Sequence, residues 1–229
     1  AKERGVLWHC DAAQAVGKVP LDVEALGIDL LSVSGHKLYA PKGVGFLYVR
    51  SRNPRVRLQA QIEGGGQENG LRAGTLNVPG IVGLGRACEL AQKEMVTEAA
   101  HLLQMRQRLI EGLGTRLGAL SVNGDLDSRL PGNLNVSFPG IDGADLFLGL
   151  RDIALSSGAA CSSKKETSSH VLRAIGLSDD QARASLRFGL GRFNTMEEVE
   201  FAIDRVAAEI ERLDSNLTTA VKARELTAH

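Results

Sequence analysis

The sequence is poor in cysteine, in aromatic residues and in net charge. Its 229 residues include three cysteines, an odd and sparse set that argues against a disulfide framework and for a reducing compartment. Lysine plus arginine number 27, as do aspartate plus glutamate, so no excess charge favours nucleic acid or an anionic membrane as a partner. No apolar run approaches the ~20 residues that span a bilayer, and no stretch has the pattern of a signal peptide. We therefore predict a soluble cytoplasmic protein without nucleic-acid or membrane partners.

The most informative residue is Lys37, which lies between two apolar stretches. Leu30–Val33 predicts a strand that leads into Ser34-Gly35-His36-Lys37, and Val44–Val49 predicts a second core strand. A lysine between core strands is costly unless it is paired or chemically used. A partly desolvated amine that forms a Schiff base is one such use. For a lysine considered alone, an ordinary position in a surface loop is the better interpretation.

Asp11 strengthens the chemical interpretation of Lys37. The apolar run Val6-Leu7-Trp8-His9-Cys10 predicts a buried parallel strand that ends at Asp11, and ligands of open α/β sheets collect at the carboxyl ends of strands. Pyridoxal phosphate enzymes need a carboxylate at the pyridine nitrogen and a lysine for the aldehyde. Asp11 and Lys37 together favour such a site, although Asp11 could also cap a helix.

The pattern of elements predicts two domains and a tail. Residues 1–90 have the short strands and tight turns of part of a doubly wound sheet, residues 91–215 form a small α+β domain, and residues 216–229 form a frayed tail. Helical periodicity over Val78–Leu113 exceeds a typical helix, so we expect two helices or a break, with stops at Gly112 and Gly114. A strand is predicted over 133–138, and helices are predicted over 144–150 and 169–175. Capping boxes at Ser178 and Thr195 mark the starts of two further helices. The last helix carries a packing stripe of apolar residues: Val199, Ile203, Val206, Ile210 and Leu213.

Cys161 is a second candidate reactive group. It lies in a run of small and polar residues, flanked by Lys164 and Lys165, where a thiol can become an accessible thiolate. An incidental surface thiol is about equally compatible with the bare sequence. Cys10 and Cys88 lie in apolar periodicity, so we expect them in the core. A Cys–His hydrolase dyad with His170 is a further alternative, although His170 fits the start of a short helix better.

Arg187 is a candidate for binding a carboxylate. In Ser185–Leu190 the apolar residues share one face of a predicted strand, and Arg187 projects from the other. A planar guanidinium can hold an α-carboxylate through two hydrogen bonds. The alternative is a surface ion pair on an edge strand.

These segments together resemble the cysteine desulfurases of the class V aminotransferase group, which are fold type I pyridoxal phosphate enzymes. Six motifs in one order carry the resemblance: Asp11-Ala12-Ala13-Gln14, Ser34-Gly35-His36-Lys37, Gly64-Gly65-Gly66-Gln67-Glu68, Arg72-Ala73-Gly74-Thr75, Ser156–Ser162 and Arg187–Phe193. They cover nearly the whole chain, which corresponds to the C-terminal part of the longer family proteins. Ala1–Gly5 is typical of the last turn of a helix, so we expect an N-terminal portion before it. The resemblance implies that this portion supplies further strands, a phosphate-binding turn and a histidine that stacks on the pyridine ring.

The resemblance implies a fold and a set of roles. The fold is α/β, the C-terminal part of an aminotransferase-like large domain with a mostly parallel sheet, followed by the small α+β domain. Lys37 and Cys161 are the implied catalytic residues, and Arg187 binds L-cysteine. The implied pyridoxal phosphate contacts, besides Lys37, are Asp11, Gln14, Ser34, His36 and, from the other subunit of a homodimer, Thr75.

The resemblance also implies a product and partners. Sulfur leaves L-cysteine as a persulfide on Cys161, L-alanine remains, and the sulfur passes to an acceptor or an iron–sulfur scaffold protein. No intrinsic metal site is expected, although Cys161 could transiently meet an iron–sulfur cluster on a scaffold. Asn69 departs from the basic residue usual in the family, which affects one loop contact. Two alternatives stay open: a lyase acting on selenocysteine or another amino acid, and a truncated inactive or regulatory chain that needs an N-terminal partner.

Overall fold

The computed structural model describes residues 1–118, 120–157 and 168–227. The chain divides into two compact units, Ala1–Glu98 and Ala99–His229. The α/β class is confirmed, because both units combine sheets and helices. The predicted domain boundaries at residues 90 and 215 stay predictions.

The first unit contains a three-stranded sheet of order β1-β2-β3. Its strands are β1 (His9–Asp11), β2 (Leu30–Ser34) and β3 (Gly45–Val49). β1 and β2 run parallel, as expected, whereas β3 pairs with β2 in the antiparallel direction. One side of the sheet packs against the first half of a long helix, and the shared core consists of small and aliphatic side chains: Ala12, Ile28, Leu31, Val33, Leu38, Ala40, Leu84, Ala87 and Ala91.

Two strands of this sheet are less buried than the sequence predicted. Val6, Leu7 and Trp8 are 59%, 48% and 40% exposed and precede the strand, which begins only at His9. Phe46 and Leu47 of β3 are also exposed. The prediction of buried strands here was wrong for this chain, because the described residues of the first unit place no second layer over these side chains.

The long helix α1 (Val78–Leu117) is continuous over 40 residues. The expected break and the expected stops at Gly112 and Gly114 were wrong, since the helix ends only before Gly118, whose φ is 78°. Gly112 has a packing role instead. A Cβ on Gly112 would lie 2.4, 3.0 and 3.1 Å from three carbons of Ile203, so glycine lets Ile203 approach the α1 backbone.

Gly112→Ala is expected to lower the free energy of unfolding by about 1–3 kcal/mol, because Ile203 is 3% exposed in the core of the second unit and its branched side chain would have to shift against its neighbours. Gly114→Ala in the same helix is the matched control. A Cβ there meets only Leu120 Cδ1 at 3.8 Å, so it should stabilise by about 0.5–1 kcal/mol. Urea unfolding followed by circular dichroism measures both, and equal shifts would contradict the packing role.

The second unit contains a four-stranded sheet of order β4-β5-β7-β6 in which every pairing is antiparallel. Its strands are β4 (Ser121–Val122), β5 (Asn133–Ser137), β6 (Ser156–Ser157) and β7 (Ser185–Gly189). The helices are α2 (Gly143–Gly149), α3 (His170–Ala174), α4 (Asp179–Arg183) and α5 (Met196–Thr227). These positions confirm the strand predicted over 133–138 and the helices predicted over 144–150 and 169–175.

Local hydrogen bonds explain where these helices begin. The Asp142 side chain caps α2, and Ser178 forms the predicted capping box with Gln181. The second predicted box is also present: Thr195 N donates to Glu198 Oε2 at 3.1 Å, and Glu198 N donates to Thr195 Oγ1 at 3.3 Å. Both caps satisfy backbone donors that have no partner inside the helix.

The last helix packs into the core of the second unit through the predicted stripe. Val199, Ile203, Val206, Ile210 and Leu213 are all buried in the core of the second unit. The helix continues to Thr227, so its last turns are helical where the sequence predicted a frayed tail from residue 216.

Candidate active site

The turn that carries Lys37 directly follows β2. A short 3-10 helix covers Gly35–Leu38, and its Gly35 and Leu38 are buried. Gly35 N donates to Val44 O at 2.9 Å, and a Cβ on Gly35 would lie 2.8 Å from that same oxygen. Glycine is therefore required for the turn to sit against the start of the next strand. Lys37 itself is exposed, so its amine is accessible rather than partly desolvated as the sequence predicted.

Asp11 lies at the same edge of the sheet as the Lys37 turn. β1 and β2 are parallel and Asp11 is paired with Ser32, so the residues that follow both strands emerge at one edge. Asp11 Oδ1 accepts a hydrogen bond from Ala13 N at 3.0 Å. The carboxylate thus also organises the turn after β1, as the alternative interpretation anticipated, and the two roles are compatible.

Ser34 and His36 form a pair beside Lys37. Ser34 Oγ and His36 Nδ1 are hydrogen-bonded at 3.0 Å. Ser34 is the last residue of β2, and His36 is exposed in the turn. Their mutual hydrogen bond uses one donor of the neutral pair, so the other donor, either the hydroxyl or the imidazole Nε2–H, is left at the strand end for an anion.

Gln14 makes a contact that sequence reasoning did not anticipate. Lys18 Nζ donates to Gln14 Oε1 at 3.0 Å. The pKa of Lys18 is lowered, first by burial and then by the positive charge of Lys37, while the Glu98 carboxylate raises it. Lys18 therefore belongs to the same charged neighbourhood as Lys37. The spacing of four between Gln14 and Lys18 was the available sequence signal.

Thr75 lies on a separate loop of the first unit. Arg72 Nη1 donates to the carbonyl oxygens of Gly74 and Thr75 at 3.2 and 3.3 Å, and Gly74 N donates to Gln67 Oε1 at 3.1 Å. Thr75 is exposed, and no hydrogen bond within the described residues joins it to Lys37 or Asp11. Asn69, which departs from the family pattern, is exposed with a φ of 55°.

Arg187 projects from β7 in the second unit as predicted. Leu186 and Phe188 on either side of it are 1% and 3% exposed, whereas Arg187 is exposed. Its Nη2 donates to Ser156 Oγ at 3.1 Å, and Ser156 is its partner in the pairing of β6 with β7. The guanidinium is therefore oriented by Ser156 of β6.

A buried polar cluster fixes the register of β7. Asn123 Nδ2 donates to Ser137 Oγ at 2.7 Å, the hydroxyls of Ser137 and Ser185 are hydrogen-bonded at 2.8 Å, and Ser185 Oγ donates to Gln181 O at 2.7 Å. Ser137 and Ser185 are each 1% exposed. Buried groups of this kind are costly to unpair, so the cluster holds the strand that presents Arg187.

The structure describes two of the three cysteines, Cys10 and Cys88. Cys161 lies outside the described residues, as do its neighbours Lys164 and Lys165. Cys10 and Cys88 are partly buried and pack against the core of the first unit, and burial raises the pKa of the Cys88 thiol. That agrees with the prediction that both are packing residues. His170 begins α3 behind the Ser169 cap.

The described residues contain neither a cluster of metal-binding side chains nor a membrane-spanning helix. In that part of the chain, no group of three or more histidine, cysteine, aspartate or glutamate side chains could hold a metal ion. No helix there combines the length and the apolar character needed to cross a membrane.

Most of the chain matches one protein family. The family model described as aminotransferase class-V matches residues 1–201. The chain belongs to the class-V aminotransferase family.

Relatives in this family carry a common name. The chain is 55% identical over 213 residues to a protein named cysteine desulfurase IscS from Anaeromyxobacter dehalogenans strain 2CP-C, covering 93% of this chain and 52% of that protein. It is 53% identical over 212 residues to a protein of the same name from Aeromonas salmonicida strain A449, with the same coverage of both chains. The chain thus spans about half the length of the curated relatives it matches.

Solved structures of two similar proteins agree with the fold. A NifS-like protein matches with a TM-score of 0.80 and 37% identity over 93% of this chain and 54% of that one. A NifS-like protein from Rickettsia africae matches with a TM-score of 0.81 and 28% identity over 92% of this chain and 55% of that one.

The side chains at the sheet edge fit the cofactor that the family implies. Pyridoxal phosphate offers a pyridine nitrogen, an aldehyde, a phenolic oxygen and a phosphate. The edge offers a carboxylate on Asp11, an accessible amine on Lys37, an amide on Gln14, and the Ser34–His36 pair. Each reactive group of the cofactor therefore has a side chain of matching chemistry among these residues.

Proposed function

We propose that this chain contributes the lysine, the cysteine and the carboxylate-binding arginine of a pyridoxal phosphate-dependent cysteine desulfurase. The reaction removes sulfur from L-cysteine, leaving L-alanine and a persulfide on Cys161. The observation that carries the proposal is the parallel pairing of β1 with β2, which puts Asp11 and the Lys37 turn at one sheet edge. The relatives named cysteine desulfurase, at 53–55% identity, support the choice of reaction.

We assign one role in cofactor binding or proton transfer to each residue at the sheet edge. Asp11 would face the pyridine nitrogen and keep it protonated, Gln14 would donate to the phenolic oxygen, and Ser34 with His36 would bind the phosphate. When bound, pyridoxal phosphate supplies an electron sink for the bonds of the substrate α-carbon. Lys37 would hold the cofactor aldehyde and later move a proton through Nζ, a task that suits an amine already accessible in the turn.

Two residues of the second unit act on L-cysteine. Arg187 would hold the α-carboxylate through two parallel hydrogen bonds, a geometry that lysine cannot provide. Cys161 would attack the substrate sulfur as a thiolate and keep it as a persulfide. A loop position suits Cys161, because the sulfur must next reach an acceptor protein.

The proposed assembly is a cytoplasmic homodimer that serves acceptors for iron–sulfur clusters and thio-cofactors. Thr75 of the partner subunit would complete the phosphate site. The Arg72 and Gln67 hydrogen bonds support this role, because they shape a loop that leaves Thr75 exposed.

One observation favours the alternative in which this chain needs a second polypeptide. Val6, Leu7 and Trp8 leave apolar surface open beside β1, and surfaces of this kind are normally covered by other protein. On this proposal the chain is inactive or regulatory alone and requires the part that its relatives have and it does not match.

The test uses the reconstituted complex, defined here as the 229-residue chain co-expressed with the part of the Anaeromyxobacter relative that it does not match. With pyridoxal phosphate, the complex should form L-alanine from L-cysteine. Activity of the complex but not of the chain alone supports the need for a partner. Preference for selenocysteine or another amino acid in competition would favour the related lyase, and a stable complex that binds pyridoxal phosphate but forms no alanine would contradict the proposal.

A further inference from the structure

Lys18 is a half-buried charged residue that the proposed reaction does not use. Its ammonium donates to Gln14 Oε1 at 3.0 Å. An ammonium has three donors and no acceptor, so it can hold the Gln14 amide only by the oxygen end. The donor end, Nε2, is left for another ligand, and it has no hydrogen-bond partner among the described residues.

The local backbone brings Lys18 to this position. Ala15 N and Val16 N both donate to Ala12 O at 3.0 Å, so the chain turns tightly after β1. Gly17 then has a φ of 76°, a conformation that favours glycine. A Cβ on Gly17 would lie 2.9 Å from Ala91 Cβ and 3.7 Å from Leu38 Cβ. Because Leu38 follows Lys37, this close approach delivers residue 18 to the neighbourhood of the reactive lysine.

Two charged groups act on Lys18, and Gln14 accepts a hydrogen bond from it. Lys37 repels it and Glu98 attracts it, while Gln14 Oε1 supplies the neutral acceptor. Lys18 contributes little to stability through these charges, since exposed or partly exposed ion pairs contribute about 0–1 kcal/mol. The hydrogen bond from Lys18 instead determines the orientation of the Gln14 amide.

We propose that Lys18 is a positioning residue that fixes the Gln14 amide with Nε2 free to donate to the phenolic oxygen of pyridoxal phosphate. This inference rests on the proposed function. If the Gln14 amide were rotated by half a turn, its carbonyl oxygen would face the phenolic oxygen of the cofactor. Two hydrogen-bond acceptors in that position repel each other. Without Lys18, neither orientation is selected.

The first experiment measures pyridoxal phosphate dissociation from the reconstituted complex. Lys18→Met should weaken binding about 3- to 10-fold, the range expected for one ordinary hydrogen bond, and should shift the visible absorption band of the bound cofactor. Lys18→Arg keeps a donor and should restore both. In a Gln14→Leu background, Lys18→Met should have no further effect. Lys42→Met, which changes an exposed lysine of the same unit, is the matched control and should bind normally. Equal losses from Lys18→Met in both backgrounds would show a merely structural role and overturn the proposal.

The second experiment needs no cofactor and therefore separates this inference from the proposed function. In the 15N-labelled 229-residue chain, the side-chain amide of Gln14 should be ordered in the wild type and in Lys18→Arg. It should become mobile in Lys18→Met, while the Asn123 side-chain amide stays ordered in all three. Equal order of the Gln14 amide in every variant would overturn the proposal even if the complex proves to be an active desulfurase.

Discussion

Lys37→Ala in the reconstituted complex is expected to abolish covalent attachment of pyridoxal phosphate and to lower alanine formation at least about 100-fold, the usual scale for loss of a proton-transferring side chain. Lys37 is exposed in a turn whose Gly35 and Leu38 are buried. The substitution should therefore remove the amine without disturbing the turn, and the free energy of unfolding should change little.

The measurements for Lys37→Ala are the visible absorption spectrum and the rate of alanine formation. Lys42→Ala, at an exposed lysine five positions along the chain, is the matched control and should retain both. A Lys37→Ala complex with the wild-type spectrum would mean that another lysine holds the cofactor, which would contradict the role assigned to this turn.

Cys161→Ala is expected to separate cofactor binding from sulfur transfer. The variant complex should keep the visible absorption of bound pyridoxal phosphate, because no cofactor contact is assigned to Cys161. It should form no persulfide, and alanine formation should fall to background, since the nucleophile that accepts sulfur is gone.

Mass spectrometry of the complex after treatment with L-cysteine measures the persulfide directly. Cys88→Ala is the control, because Cys88 packs against the core and burial raises the pKa of its thiol. That variant should still carry one persulfide sulfur on Cys161. Normal sulfide release by the Cys161→Ala complex would refute the assignment.

Local patterns predicted those elements whose partners lie nearby in the chain. The capping boxes at Ser178 and Thr195 and the buried stripe from Val199 to Leu213 follow from short-range hydrogen bonding and helical spacing, and the structure confirms them. The projection of Arg187 away from Leu186 and Phe188 follows from strand alternation in the same way.

The failed predictions concern tertiary contacts that no local pattern encodes. Gly112 resembled a helix stop but accommodates Ile203, a residue distant in sequence. Val6–Trp8 resembled a buried strand, yet burial depends on what covers those side chains, and the first unit leaves them exposed.

The candidate site was predictable in part. The strand-end positions of Asp11 and of the turn with Lys37 follow from apolar runs that stop at polar residues. The contact of Lys18 with Gln14 had only the spacing of four as a sequence signal, because its geometry also depends on the left-handed Gly17 and its packing against Leu38. The roles of Cys161, Thr75 and Arg187 stay predictions that the variants above can test.

The most direct test of the central claim is to find which lysine holds pyridoxal phosphate. The reconstituted complex is loaded with the cofactor, reduced with borohydride to make the attachment permanent, digested and analysed by mass spectrometry. The pyridoxyl group is expected on Lys37. Its recovery on Lys18 or Lys42, or on no lysine of this chain, would contradict the assignment of the sheet edge formed by β1 and β2 as the active site.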